Sequence, residues 1–242
     1  MVVEGDLFIL GKHRLMCGDS LKLTNVNKLL DGQKADMIFT DPPYNVNYIP
    51  EARRKGGRSQ NQLGGIMGDI NFNMVDVMDL IDTGICKGAV YICHGTNQRD
   101  DMYDFVYKKF KVRPTDIIWV KNGFSILARD YHSAYESIMY YYYPEKKFRG
   151  TKGQTDVWFF KRRDTSKYVH PTMKPVAMIQ RAINNSSDEG DIVMDLFGGS
   201  DSTMIACENT FRRCYMMELD PKYIQVIIDR WEAHTGEKSI KL

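Results

Sequence analysis

Apolar and polar positions along the chain follow two spacings, one of about two residues and one of about 3.6, the periods of strands and helices. Leu7–Leu10 and His13–Cys17, joined by Gly11-Lys12, predict a hairpin or two short strands. The pattern over Ser20–Leu30 predicts a helix with Ser20 as its N-cap, a position where a hydroxyl can accept from the open N–H groups of the first turn. Ala35–Thr40 predicts a buried strand that stops at Asp41-Pro42-Pro43-Tyr44, because proline carries no N–H for a ladder. Helices are predicted at Met74–Cys86, Asn97–Lys109, Pro175–Asn185, from about Ser202, and at Pro221–His234, where Pro221 suits the first turn. Strands are predicted at Ala89–Cys93, Asp116–Lys121, Ala134–Tyr142, Asp156–Lys161, Ile192–Leu196 and Arg213–Glu218. This alternation implies one α/β domain over residues 1–242, a mostly parallel twisted sheet with helices on both faces. Ligands in such sheets bind at the carboxyl ends of the strands, so the residues just beyond each strand carry the most information.

Composition narrows the class. Of 242 residues, 43% are hydrophobic and 26% charged, enough apolar material for a core and too much for a disordered chain. The five cysteines include no C-x-x-C pair, which excludes zinc-finger and disulfide-scaffold readings and points to a reducing compartment. Met1-Val-Val-Glu-Gly-Asp has neither the basic nor the apolar region of a signal peptide, and no apolar run approaches the ~20 residues of a membrane helix. A cytoplasmic protein with no membrane partner is expected. No metal is expected either, since His170 has no second His or Cys at ligand spacing. Tyr140–Tyr143, at strand spacing, is expected to send alternate rings into the core, and the cysteines are expected to be buried thiols.

A net charge of +2 hides an asymmetry. The glycine-rich stretch 45–68, which reads as a mobile loop, holds Arg53, Arg54, Lys55 and Arg58 against Glu51 alone. Residues 144–168 hold Lys146, Lys147, Arg149, Lys152, Lys161, Arg162, Arg163 and Lys167 against three acidic residues. The remainder is acidic, a distribution that suits two stretches meeting a polyanion as well as two solvated loops.

Two strand ends carry chemistry. After Ile192–Leu196 comes Phe197-Gly198-Gly199-Ser200-Asp201-Ser202, a glycine turn opening a helix, where backbone N–H groups can meet a ligand. The next strand ends in Glu218, at the distance from Gly199 usual for a ribose-hydroxyl acceptor. The pattern is not G-x-G-x-x-G, so an adenosine without a pyrophosphate is indicated, and Asp195 would suit a cation. S-adenosylmethionine meets these demands. Asp41-Pro42-Pro43-Tyr44 suits chemistry on an exocyclic amine. Its nitrogen lone pair is delocalised into the base, and Asp41 and the rigidly held Pro42 carbonyl could accept both amine hydrogens and redirect that pair. Tyr44 offers an aromatic face to a base swung out of a duplex.

With these motifs in this order the sequence resembles the β class of amino-group DNA methyltransferases, in which the catalytic Asp-Pro-Pro-Tyr precedes the cofactor turn. The resemblance runs through nearly the whole chain and implies a Rossmann-like, S-adenosylmethionine-dependent methyltransferase fold. His170-Pro171-Thr172-Met173-Lys174-Pro175 is similar to the family's motif X, which implies that His170 lies by the cofactor and that Thr172 and Lys174 hold the methionine carboxylate. Asp195, Phe197, Gly198, Gly199, Ser200 and Ser202 match the cofactor turn, and Glu218 with Asp220 its ribose-binding successor. Cys17-Gly18-Asp19-Ser20 matches the strand end that faces the adenine amine. An Asp at the first position of the catalytic motif goes with adenine N6 more often than with cytosine N4.

The resemblance implies double-stranded DNA as substrate, read by the 45–68 loop and the short 144–168 segment. Position 201 departs from the family, which places Gly where this chain has Asp201; its carboxylate is expected to sit near the cofactor's own carboxylate and weaken binding. Cytosine N4, a protein-glutamine or RNA substrate, and a DNA-binding protein disabled by Asp201 remain alternatives. Dimers are common in the resembling class; the sequence leaves open the oligomeric state and the existence of a cognate restriction endonuclease.

Overall fold

A computed structural model of the protein describes residues 1–44, 72–125, 130–161, 173–199 and 201–242. The expectations for the 45–68 loop, including Arg53, Arg54, Lys55 and Arg58, and for Arg162, Arg163, His170, Thr172 and Ser200 lie outside the described residues.

The elements run β1 (Leu7–Leu10), β2 (His13–Cys17), α1 (Leu23–Leu30), β3 (Ala35–Thr40), α2 (Met74–Asp82), β4 (Cys86–His94), α3 (Arg99–Phe110), β5 (Thr115–Ser125) and β6 (Ser133–Tyr142). They continue as β7 (Val157–Phe159), α4 (Val176–Ser186), β8 (Ile192–Asp195), α5 (Ser202–Asn209), β9 (Arg213–Glu218), α6 (Pro221–Thr235) and β10 (Ile240–Lys241). Among the described residues all the strands join one sheet in the order β10-β1-β2-β9-β8-β3-β4-β6-β5-β7. The centre, β2-β9-β8-β3-β4, is parallel throughout. The hairpin partner β1 and the strand β6 run antiparallel to it on either side.

Period-two alternation decides which side chains meet which helices. Met37 and Phe39 of β3, Ala89, Tyr91 and Cys93 of β4, and Cys214 and Met216 of β9 pack with α4, α5 and α6. Ile38, Val90, Ile92, Met194, Tyr215 and Met217 face the opposite way, onto α1, α2 and α3. The tyrosine run follows this rule. Tyr141 is buried on the α2–α3 side, Tyr140 packs on the other, and Tyr142 is exposed. All five cysteines are buried free thiols. His13, also buried, accepts from the Cys214 N–H at 2.8 Å through Nδ1 and lies 2.7 Å from Glu208 through Nε2, a link between β2, β9 and α5.

Several bounds differ from the pattern, and some of the differences have a local cause. Ser20 does not cap α1, which begins at Leu23 with Lys22 at the cap. The Asp19 carboxylate accepts from the Leu21 N–H at 3.0 Å instead, turning the chain before the helix starts. The Met74–Cys86 helix stops at Asp82, where the Thr83 hydroxyl donates to the Leu80 carbonyl and Gly84 takes φ 91°, and Cys86 already belongs to β4. The two-residue β10 escapes the pattern because it is too short to show a period, and it pairs only with β1.

Candidate active site

The parallel strands β3, β4, β8 and β9 end at one edge of the sheet, in Thr40, His94, Asp195 and Glu218. Asp41 to Tyr44 continue directly from β3. Gln98 donates to the Pro43 carbonyl at 3.2 Å and Asn97 to the Tyr44 carbonyl at 3.5 Å, so the turn after β4 pins the motif from one side. Among the described residues no donor reaches the Pro42 carbonyl, the second acceptor expected from the sequence. The Asp41 carboxylate is occupied on both oxygens. Tyr44 OH donates to Oδ1 at 2.6 Å, and the Lys174 ammonium donates to Oδ2 at 2.5 Å. Burial and the Asp41 charge hold the Tyr44 hydroxyl well above its usual range, so it stays a donor and its ring is fixed at both ends.

Lys174, which the resemblance implies holds the methionine carboxylate, is paired here with two carboxylates. Its ammonium lies between Asp41 and Glu136, 3.1 Å from the latter, and is almost fully buried. Burial alone would lower its pKa, but the two carboxylates outweigh burial and raise it. The second oxygen of Glu136 receives the Lys121 ammonium at 3.3 Å. A chain of alternating charge thus runs Asp41–Lys174–Glu136–Lys121 from the motif into β6 and β5. Lys121 and Glu136 fall in Trp119-Val120-Lys121 and Tyr135-Glu136, stretches similar to the part of the family between the catalytic motif and target recognition, but the sequence alone gives neither residue a role. The available signal was a charged residue on the inward face of each strand, since Lys121 follows Ile117 and Trp119, and Glu136 precedes Ile138, in the same alternation.

The glycine turn lies on the neighbouring strand. Gly198 is packed so closely that a Cβ would meet Met216 at 2.7 Å, and its N–H donates to the Met217 carbonyl at 2.7 Å. Gly199 has φ 54°, and a Cβ there would enter open space. The Glu218 carboxylate ties the turn down by accepting from the Gly199 N–H and the Asp220 N–H, each at 2.8 Å. Burial raises its pKa although these N–H groups pull the other way. Ser202, at the start of α5, is buried with no partner for its hydroxyl among the described residues. Phe197 is half-buried, edge-on to Phe72 at 5.4 Å, and Asp19 is half-buried at the end of β2.

Two residues expected at the cofactor make structural hydrogen bonds. Asp195 is buried and accepts from the Thr40 hydroxyl (2.9 Å), the Thr203 hydroxyl (2.6 Å) and the Phe197 N–H (3.1 Å), which joins β3, β8 and α5. Burial pushes its carboxyl up to about 7. Asp220 caps α6 by accepting from the Lys222 N–H at 2.9 Å. Asp201 does take the left-handed conformation, with φ 74°. Its side chain is wholly buried, however, and turned toward Arg230 of α6 at 3.6 Å, so it does not crowd the turn's open side. Neither carboxylate oxygen has a hydrogen-bond donor among the described residues, and burial holds its pKa well above the usual carboxylate range.

The first part of the second basic stretch, Lys146 to Lys152, lies elsewhere. Because β6 runs antiparallel to β4, the chain leaves it at the amino end of the parallel strands, where the Tyr143 N–H donates to the Gly88 carbonyl. Lys147 is paired with Asp191 at 2.7 Å and with Asp188 at 3.2 Å. Arg149 grips Asp188 with two bonds of 2.8 and 3.0 Å, and Lys146 covers the Tyr142 ring. Lys152 is exposed on the same connection. The structure thus brings Lys146, Lys147, Arg149 and Lys152 to the edge opposite Asp41, with two of them already neutralised.

A doubly wound sheet carrying Asp-Pro-Pro-Tyr at one strand end and a glycine turn at the next defines an amino-group methyltransferase. The chain belongs to the DNA methylase family (N6_N4_Mtase), whose profile matches residues 35–229. It is 24% identical over 250 residues to the type II methyltransferase M.HpaI of Haemophilus parainfluenzae, covering 91% of this chain and 74% of that protein. It is 24% identical to the DNA adenine methyltransferase YhdJ of Escherichia coli (strain K12), covering 85% of this chain and 79% of that one. Among solved structures, the complex of M1.HpyAVI with SAM shares its fold with a TM-score of 0.66 at 22% identity, over 89% of this chain and 98% of that one. The cytosine-N4-specific PvuII DNA methyltransferase does so with a TM-score of 0.62 at 14% identity, over 90% and 85%.

Proposed function

We propose that the protein methylates the N6 amine of adenine in double-stranded DNA, using S-adenosylmethionine, on a base turned out of the helix. The observation that carries this reading is the Asp41 carboxylate held at the end of β3, beside the glycine turn of β8, with Tyr44 locked to it. The name of YhdJ, a DNA adenine methyltransferase, supports adenine, as does Asp rather than Ser at position 41.

The turn fits the cofactor. The open side of Gly199, the unpartnered Ser202 hydroxyl and the Glu218 carboxylate form a polar cradle at a helix start, with Phe197 and Asp19 at its sides. S-adenosylmethionine supplies an electrophilic methyl group when bound there. Asp41 accepts one hydrogen of the target amine and the Pro42 carbonyl the other, which favours a pyramidal nitrogen with its lone pair free of the ring. Tyr44 stacks on the base, its plane set by the bond to Asp41. Formation of the N–CH3 bond as the cofactor's S–CH3 bond breaks would leave the sulfur a neutral thioether and the amine positive, and Asp41 would then pass one of the amine's protons to solvent. Alignment supplies most of the acceleration, so small displacements of Asp41 should cost much rate.

The test is incubation of the protein with S-adenosylmethionine and unmethylated mixed-sequence DNA, followed by mass spectrometry of the digested nucleosides. N6-methyladenine is expected. N4-methylcytosine would keep the mechanism and change the base, whereas 5-methylcytosine or no modified nucleoside would overturn the reading.

A further inference from the structure

The buried chain Asp41–Lys174–Glu136–Lys121 bears on how Asp41 becomes available. A target amine needs an Asp41 oxygen as acceptor, yet one oxygen holds Tyr44 OH at 2.6 Å and the other the Lys174 ammonium at 2.5 Å. An ammonium left on Asp41 would also cancel the negative charge that should face the amine as it turns positive, when that charge is worth most. The ammonium cannot simply withdraw, because a buried cation stripped of its counter-charge is strongly disfavoured. Glu136 answers both demands. Its Oε2 is already 3.1 Å from Lys174 as an ion pair without a hydrogen bond, and its Oε1 is anchored by Lys121 at 3.3 Å, so the ammonium has only to turn toward it. The register sets Glu136 directly across from the buried Trp119, on a rigid part of the sheet.

We propose that Glu136 is a positioning residue for the transfer: it takes the Lys174 ammonium from Asp41 when the target amine arrives, leaving Asp41 to accept from that amine. This rests on the methyltransferase reading above. Among the described residues the other groups around Lys174 are Tyr44, whose ring centroid is 5.5 Å away, and Cys93. Both are held neutral by burial, so among the described residues Asp41 and Glu136 are the two anions beside the ammonium.

The experiment compares wild type, Glu136→Gln, Glu136→Asp and Lys174→Met on unmethylated DNA, across pH 7 to 10. Glu136→Gln should lower kcat about 100-fold at pH 7, the ammonium having no second anion to move to. The KM for DNA and the Kd for S-adenosylmethionine should stay within about threefold of wild type. The lost rate should return by about tenfold per pH unit as Lys174 gives up its proton. Glu136→Asp should recover part of it at pH 7. In the Lys174→Met background, where no ammonium competes, Glu136→Gln should cost less than about threefold.

A second readout needs no turnover. Nitrogen NMR of the lysine ammonium groups, assigned by loss of one signal in Lys174→Met, should show Lys174 titrating at lower pH in Glu136→Gln than in wild type. The proposal fails if Glu136→Gln keeps wild-type kcat, if its loss is independent of pH and additive with Lys174→Met, or if the Lys174 titration does not move. An active wild type with an unimpaired Glu136→Gln overturns this inference alone. A wild type that methylates no base overturns the methyltransferase reading and this inference with it.

Discussion

Replacing Asp201 by glycine should stabilise the protein. The residue sits at φ 74° as the cap of α5, where a side chain costs roughly 1 kcal/mol that glycine does not pay. Its carboxylate is wholly buried with no hydrogen-bond donor among the described residues, a burden of about 1–3 kcal/mol. The glycine gives back about 0.5–1 kcal/mol in chain entropy. Arg230, whose side chain is 23% exposed, still reaches solvent and the Met173 sulfur at 3.9 Å when Asp201 is removed. The net gain is about 1–3 kcal/mol, or about 3–10 °C in melting temperature for a chain of this length. The gain depends on pH with a definite sign. The folded carboxyl titrates well above the ordinary 3.8, so the folded chain holds a proton that the unfolded chain has lost. Wild-type stability therefore falls as pH rises from about 4 toward that raised value, and the glycine variant's advantage widens over the same range. Thermal melts of wild type, Asp201→Gly and Asp201→Asn at pH 4, 6 and 8 test this, with Asn recovering the charge part alone. A variant no more stable than wild type at pH 8, or an advantage that shrinks with rising pH, would mean that the Asp201–Arg230 pair is net favourable. Since the carboxylate faces α6, Asp201→Gly should also leave the Kd for S-adenosylmethionine within about threefold.

Other outcomes follow from the same geometry. Asp195, raised by burial to about 7, also binds a proton more tightly when folded, so Asp195→Asn should flatten the decline of melting temperature between pH 4 and 7; an unchanged slope would show that other groups carry it. Asp41→Ala should reduce methylation by more than about 1000-fold while leaving S-adenosylmethionine affinity within about threefold by calorimetry, as the role proposed for Asp41 toward the amine requires; loss of both together would give Asp41 a folding role. Lys147→Met and Arg149→Met, at the edge away from Asp41, should change DNA affinity by less than about twofold in a fluorescence titration and cost no more than about 1 kcal/mol of stability each. A steep loss of DNA affinity in either would return that stretch to the DNA interface.

What the sequence determined by itself is what depends on near neighbours along the chain. The alternation of Ala35–Thr40, Ile192–Asp195 and Arg213–Glu218 follows from burial on both faces of a parallel sheet, and those strands stand within a residue of where the pattern puts them. Asp41-Pro42-Pro43-Tyr44 and Gly198-Gly199 are legible for the same reason, because proline and glycine act on their own backbone. The tertiary structure decided the partners of the charged side chains, which depend on strand order and direction. Lys174 reaches Asp41 and Glu136 only because β6 lies against β4, next to β3. Lys147 and Arg149 fall at the far edge because β6 runs backwards, which no local pattern records. Asp201 turns to Arg230 because α6 packs beside α5, and a left-handed residue sends its side chain where that packing allows. A charge on a buried surface takes whatever countercharge the fold brings within 4 Å, and that choice is made between segments more than a hundred residues apart, such as Asp41 and Lys174.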